Sequence, residues 1–179
     1  MGIADSGSSD PLDLTTGMTL SAWVKPDTTS MEWGNIIVKS VEGGGDPWFL
    51  YTLRSESGAG EWIADISDGS PGSLNRVWSG VTIQADTWFH IVATYDQSRL
   101  KIYVDGTDEN NWPSGGQSVS FSIGTNNNDV NIGAHGTVHE FDGIIDEVRI
   151  SNIPRTAAWI KASYESERDD LLGFEISPP

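Results

Sequence analysis

The chain has 179 residues with 26 Asp and Glu against 10 Lys and Arg, a net charge of -16, and no cysteine. That length suits one domain with a sizeable core, and a field of that sign repels phosphate backbones, which argues against nucleic acid as a partner. The missing cysteines remove disulfides, thiolate metal sites and cysteine nucleophiles, and no run reaches the roughly 18 apolar residues of a membrane span, which argues against membrane insertion.

The opening Met1-Gly2-Ile3-Ala4-Asp5 lacks the basic and apolar regions of a signal peptide and reads as the start of a fragment taken from a larger protein with other domains. After a polar lead, Met18 to Lys25 alternates, with Leu20, Ala22 and Val24 on one face, and stops at Pro26-Asp27, which predicts a strand. Asn35 to Lys39 and Trp48 to Arg54 are further strands, separated by the loop Glu42-Gly43-Gly44-Gly45-Asp46-Pro47. Glu61 to Ile66 and Val77 to Ile83 follow, with Asp68-Gly69-Ser70-Pro71-Gly72 as connector. Trp88 to Tyr95 and Leu100 to Gly106 form a hairpin across Asp96-Gln97-Ser98-Arg99.

A polar segment, Thr107 to Gln117, precedes two more strands, Ser118 to Ile123 and Val130 to Gly133. In Phe141 to Ser151, a side-chain period of two puts Ile144, Asp146, Val148 and Ile150 on one face, and Ile145, Glu147 and Arg149 on the other. Asp146 is then a carboxylate among aliphatic side chains, which requires backbone N-H groups, a cation or a metal in place of its hydration. Behind Pro154 the spacing predicts a helix over about Arg155 to Glu165, with Ala157, Ile160 and Tyr164 on one face. Leu171 to Ile176 has the composition of one more strand. Many short strands with regular turns and one late helix describe an all-β antiparallel sandwich or barrel.

Three stretches carry a family resemblance: Met18-Thr19-Leu20-Ser21-Ala22-Trp23-Val24-Lys25-Pro26; Trp88 to Tyr95 with Ile102-Tyr103-Val104-Asp105-Gly106; and Phe141-Asp142-Gly143-Ile144-Ile145-Asp146-Glu147-Val148-Arg149-Ile150. Together they resemble the laminin G-like branch of the concanavalin A-like lectin and glucanase jelly rolls, in the right order from about Leu12 to Tyr164. The resemblance implies two stacked, curved antiparallel sheets, one of them concave, and a calcium ion near the closing strand. An Asp matching Asp146 would hold that ion by side-chain and main-chain oxygen, the other ligands being mainly backbone carbonyls. The first strand of the family would lie in Ile3 to Ser6 or be cut short.

Carboxylates at Glu140, Asp142, Asp146 and Glu147 invite comparison with glycosidase acid pairs, which stand about 5 to 5.5 Å apart on one face of a cleft in retaining enzymes. Asp146 and Glu147 face opposite sides, and the Glu-x-Asp-x-x-Glu signature of jelly-roll glucanases is missing, so no catalytic pair is assigned. Glu147 and Arg149 share a face and can pair. His90 reads as structural, and His135 and His139 as loop residues without a third metal ligand. Tryptophan points to sugar, because indoles stack on the C-H faces of sugar rings while Asn or Asp takes the hydroxyls. Trp33, Trp48 and Trp112 stand in or beside loops, with Asn111 next to Trp112, and Trp62 and Trp78 sit in strands where they can face the concave surface. Trp23, Trp88 and Trp159 fall in the family motifs and are expected in the core.

The reading is a non-catalytic, lectin-like module of a secreted or cell-surface protein that binds a polysaccharide or glycan through these residues, stabilised by structural calcium at Asp146. The alternatives are an adhesion or interaction spacer without a glycan pocket and a polysaccharide-cleaving enzyme.

Overall fold

The computed structural model describes residues 1–5, 7, 10–41, 47–56, 58, 60–135 and 138–168. Its strands are β1 (Gly2–Ile3), β2 (Met18–Pro26), β3 (Asn35–Ser40), β4 (Phe49–Ser55), β5 (Glu61–Ile66) and β6 (Asn75–Thr82), then β7 (Phe89–Tyr95), β8 (Arg99–Val104), β9 (Thr107–Asp108), β10 (Gln117–Ser118), β11 (Val130–Ile132) and β12 (Gly143–Ser151). One helix, α1 (Ala157–Glu167), follows. The first sheet runs β1-β11-β3-β4-β5-β6, and the second runs β10-β8-β7-β2-β12, with β9 added to β8. Every pairing is antiparallel.

Alternation decides what lies between the sheets. From the second sheet come Leu20, Ala22 and Val24 of β2, Ile91 and Ala93 of β7, and Ile102 and Val104 of β8. The first sheet answers with Ile37, Leu53, Trp62, Ala64, Ile66 and Val77. These side chains are buried in one contiguous cluster, the dominant favourable term of the fold. At the N-terminus Gly2–Ile3 pairs with β11 as the first strand of its sheet. Lys39, fully buried, draws the lead inward by bonding Asp5 at 2.5 Å and approaching Asp13 at 3.2 Å.

The predicted strand Ser118 to Ile123 forms only at its first residue. Beyond β10 the chain leaves the ladder, yet Val119 and Ile123 stay buried, and Tyr95 donates its hydroxyl to the Phe121 carbonyl at 2.6 Å while accepting the Phe121 N-H at 3.1 Å. Burial produced the apolar pattern there without strand pairing. The tail strand predicted over Leu171 to Ile176 lies outside the described residues.

The expected face of β12 is corrected. Asp146 pairs with Trp23 and Arg149 with Ser21, so one residue is inserted between them, and Glu147 adopts φ 49. This β-bulge reverses the alternation. Ile145, Val148 and Ile150 pack on the core, Ile144 is 51 % exposed, and Asp146 faces outward. Gly143 opens the strand at φ +144, where a Cβ would meet the Lys25 carbonyl oxygen at 2.2 Å, so only glycine lets β12 approach β2 this closely.

Thr156 caps α1 by accepting the N-H of Trp159 at 3.2 Å. Ile160 then plugs onto Val92 and Tyr103 on the outer face of the second sheet. Tyr164 stacks on Trp23 at 5.7 Å and on His90 at 6.0 Å between ring centres. Among the described residues no helix is long and apolar enough to cross a membrane.

Candidate functional site

The outward face of the first sheet carries an ionic group that sequence patterning missed. Asp65 is fully buried and accepts from Arg54 Nε at 2.9 Å, from Arg54 Nη2 at 2.8 Å and from Arg76 Nε. Arg76 stands directly across from Asp65 in the β5–β6 ladder, and Arg54 comes from β4 on the other side. Burial pushes the Arg54 guanidinium below its ordinary pKa, and the charge of Asp65 opposes that shift. Glu56 stands 3.6 Å from Nη1 of Arg76, its carboxyl raised by burial against the pull of both arginines.

Two loops close over this group. Trp33 is held at φ 59 in the turn before β3, and Gly34 donates its N-H to Ser55 Oγ at 2.8 Å. Asn35, fully buried, donates its side-chain amide to the Trp33 carbonyl at 3.0 Å and to the His139 carbonyl at 3.2 Å. One side chain thus ties the Trp33 turn to the His139 loop. Trp33 lies against Arg54 at 4.4 Å and Arg76 at 5.6 Å from its ring centre, so its indole face is occupied by guanidinium. His135 sits edge-on to Phe49 at 5.4 Å, and burial, then His139 and Arg54, lower its pKa.

Between the loops is a cleft of about 310 Å³, lined by Trp33, Trp48, Phe49, Arg54, Leu74, Arg76, His135, Val138 and His139. Trp48 is 54 % exposed and offers an open indole beside the fixed guanidiniums. The volume lies near the lower end of ordinary ligand pockets, which start at about 300 Å³.

Of the sequence-predicted sugar residues, Trp33 and Trp48 converge here. Trp78 is half-buried against Arg76 at 5.4 Å, beside the cleft without lining it. Trp112 and Asn111 dock on β6 through main-chain bonds to Trp78, and Gly80 at φ +71 leaves the space that the Asn111 side chain fills. Neither lines the cleft, although Trp112 is 67 % exposed. Trp62 is corrected: it is fully buried between the sheets, packed on Phe89 and Phe141, and cannot touch a ligand. The expectation for three other tryptophans reverses in the opposite sense, since Trp88 and Trp159 are exposed and Trp23 is half-buried on the outer face of the second sheet. Arg54, Arg76, His135 and His139 belong to the cleft and were not assigned to binding from sequence. Opposite charges recurring at Arg54, Asp65 and Arg76 on three successive strands were the available signal.

A wider cleft of about 800 Å³ lies at the end of α1, lined by Trp23, Trp88 and Tyr164 with Asp105, Asp146, Glu147, Arg149, Glu167 and Arg168. Its charges are largely turned on one another. Glu167 accepts from Trp23 Nε1 at 2.5 Å, from Ser163 at 2.9 Å and from Arg149, and Arg149 also bonds Glu147 at 2.7 Å, the pair expected from sequence. His90 lies under this layer, buried as a structural residue between Trp23 and Tyr164.

Asp146, as the candidate calcium ligand, is exposed rather than enclosed by aliphatic groups, and its Oδ1 accepts the N-H of Glu147 at 2.8 Å. Among the described residues no three Asp, Glu or His side chains gather as metal ligands. The exposed Asp146 carboxylate leaves one side-chain donor for an ion, the other ligands being main-chain oxygens as the resemblance implies. Glu140, Asp142, Asp146 and Glu147 are all exposed.

Two six-stranded antiparallel sheets closed on one core, with an aromatic cleft on an outer face, define a lectin-type jelly-roll sandwich. The laminin G-type family model of the concanavalin A-like lectin/glucanases superfamily matches residues 4–161, and the chain belongs to that family. Comparison with curated proteins finds no match. Solved structures share the fold: a candidate carbohydrate-binding protein from Bacteroides ovatus has 19 % identity over 89 % of this chain and 42 % of that one, with a TM-score of 0.62. The SAP-like pentraxin of Limulus polyphemus has 13 % identity over 84 % and 70 % of the two chains, with a TM-score of 0.61. Domain 4 of AbnA, an extracellular arabinanase from Geobacillus stearothermophilus, in complex with arabinotriose, has 17 % identity over 90 % and 70 %, with a TM-score of 0.58. At these identities the likeness is one of fold, and the chain spans less than half the length of the Bacteroides protein.

Proposed function

We propose that this chain is a non-catalytic carbohydrate-binding module of a secreted or cell-surface protein, joined to other domains, and that the Trp33–Trp48 cleft receives the glycan. The observation that carries the reading is an open Trp48 indole at a small, largely preformed cleft whose polar wall is held by Asp65. An exposed ring beside fixed donors suits a sugar, which presents an apolar face and a rim of hydroxyls. The carbohydrate-binding description of the Bacteroides neighbour and the bound arabinotriose of the arabinanase domain support the same class of ligand.

Glycan-array screening followed by calorimetry tests it. Trp48→Ala is expected to weaken binding about 2- to 10-fold, the loss of one aromatic stack, while Trp112→Ala, outside the cleft, leaves it unchanged. Failure of the wild-type chain to bind any glycan would overturn the reading in favour of an interaction spacer. Turnover of β-glucan would overturn its non-catalytic part.

We propose structural calcium in the form the resemblance implies, an ion on Asp146 and main-chain oxygens. A melt with calcium against chelator reads it directly, because an ion bound only by the native state raises Tm by mass action. Loss of the rise in Asp146→Ala is expected, and an unchanged wild-type melt would remove calcium from the account.

A further inference from the structure

We infer that the cleft selects an anionic sugar, with the carboxylate or sulfate group received by the guanidinium of Arg76 in front of the buried charge of Arg54, while the ring lies on Trp48. The inference rests on the carbohydrate-binding reading above and names the class of glycan.

The cleft departs from the charge of the whole chain. A protein of net charge -16 with only 10 Lys and Arg places two arginines and two of its three histidines in one small lining. None of the described lining residues is acidic. Asp65 compensates both arginines without lining the cleft, and Glu56, also outside the lining, stands 3.6 Å from Arg76. The arrangement is a dipole whose positive end forms the cleft wall. An anion entering there meets cations already held in place, so little reorganisation opposes binding.

Orientation supports the same ligand. Asp65 engages the Nε of each guanidinium, and the Trp33 ring lies within 4.4 Å of Arg54 and 5.6 Å of Arg76. The planar Arg76 guanidinium, fixed in this way, presents its remaining N-H groups to the oxygens of a carboxylate or sulfate, a direction that a flexible ammonium lacks. With the Trp33 face taken by Arg54, Trp48 is the aromatic surface left for the sugar.

The test is calorimetry on the intact chain with a panel of uronic-acid and sulfated oligosaccharides. Each is paired with its methyl-esterified or desulfated form, which keeps the rings and removes the charge. At least one acid is expected to bind about 10- to 100-fold more tightly than its neutral partner, the range of a charge-assisted hydrogen bond. The uronate and sulfate arms identify which anion is taken. Arg76→Gln should abolish the preference and Arg76→Lys restore only part of it. Asp65 keeps Arg54 in both variants, and a thermal melt checks that they fold. Equal binding of charged and neutral forms, or a preference that survives Arg76→Gln, would overturn the inference and leave the carbohydrate reading standing. No binding to any glycan, charged or neutral, would overturn both.

Discussion

Replacing Asp65 by Asn keeps the shape of the side chain and removes the charge on which the cleft wall is built. Asp65 is fully buried and Arg54 is 3 % exposed, so water cannot take over the bonds to Arg54 Nε and Nη2. Removing one partner of a buried pair costs about 3 to 5 kcal/mol, mostly the desolvation of the charge left behind. Set against a total stability of about 5 to 15 kcal/mol, that is a large fraction. For a chain of this size it corresponds to a fall in Tm of about 6 to 20 °C, at roughly 2 to 4 °C per kcal/mol. Urea unfolding followed by the fluorescence of the eight tryptophans gives the free energy directly. Arg76→Gln should cost clearly less, because Arg76 is half-buried and Asp65 still has Arg54. The double variant Arg54→Met, Asp65→Leu should regain most of the loss, since a packed apolar pair removes both charges together. An Asp65→Asn protein within about 1 kcal/mol of wild type at pH 7 would refute the claim that the wall is a desolvated ion group.

Two further outcomes follow from burial. His90 is 1 % exposed beneath Trp23 and Tyr164, and burial holds its pKa down to about 4 from 6.5, with Glu167 pulling it up and Arg149 pushing it down. The unfolded chain therefore takes up the proton first: stability is full above pH 6.5 and is lost as pH falls towards 4, by about 3 kcal/mol. His135 adds to the loss in the same direction, so unfolding titrations should show His90→Gln flattening the slope in this window without abolishing it, and an unaltered slope would disprove the assignment. Trp62→Ala should cost about 3 to 5 kcal/mol by opening a core cavity, whereas Trp112→Ala should stay within about 0.5 kcal/mol, and equal costs in urea melts would contradict their opposite burial.

The strands that face the core on one side were legible because each has one alternation to satisfy. Leu20, Ala22 and Val24 announce β2, and Ala157, Ile160 and Tyr164 behind Pro154 announce the helix. β12 resists that reading for a physical reason. Strict alternation from Ile144 buries Asp146, and from Ile145 it buries Glu147 and Arg149. One inserted residue at the bulge keeps all three charges out, and no periodic template contains it. Trp62 is legible in principle, since it shares parity with Ala64 and Ile66 and is buried with them.

The cleft was half legible. Trp33 and Trp48 stand out as loop aromatics, but the cation wall depends on which residues of β4, β5 and β6 lie side by side, and that register is set by bulges and turns. Once the register is known, the arginines stand apart from most other cations of the chain. Lys25, Lys39, Lys101, Arg149 and Lys161 each meet at least one carboxylate, whereas Arg54 and Arg76 converge on Asp65, with Glu56 a second partner of Arg76 at 3.6 Å. Packing accounts for burying one guanidinium on one carboxylate; a second guanidinium converging on it at the wall of an aromatic cleft leaves positive charge facing the cleft, where a ligand with its own negative charge would be favoured.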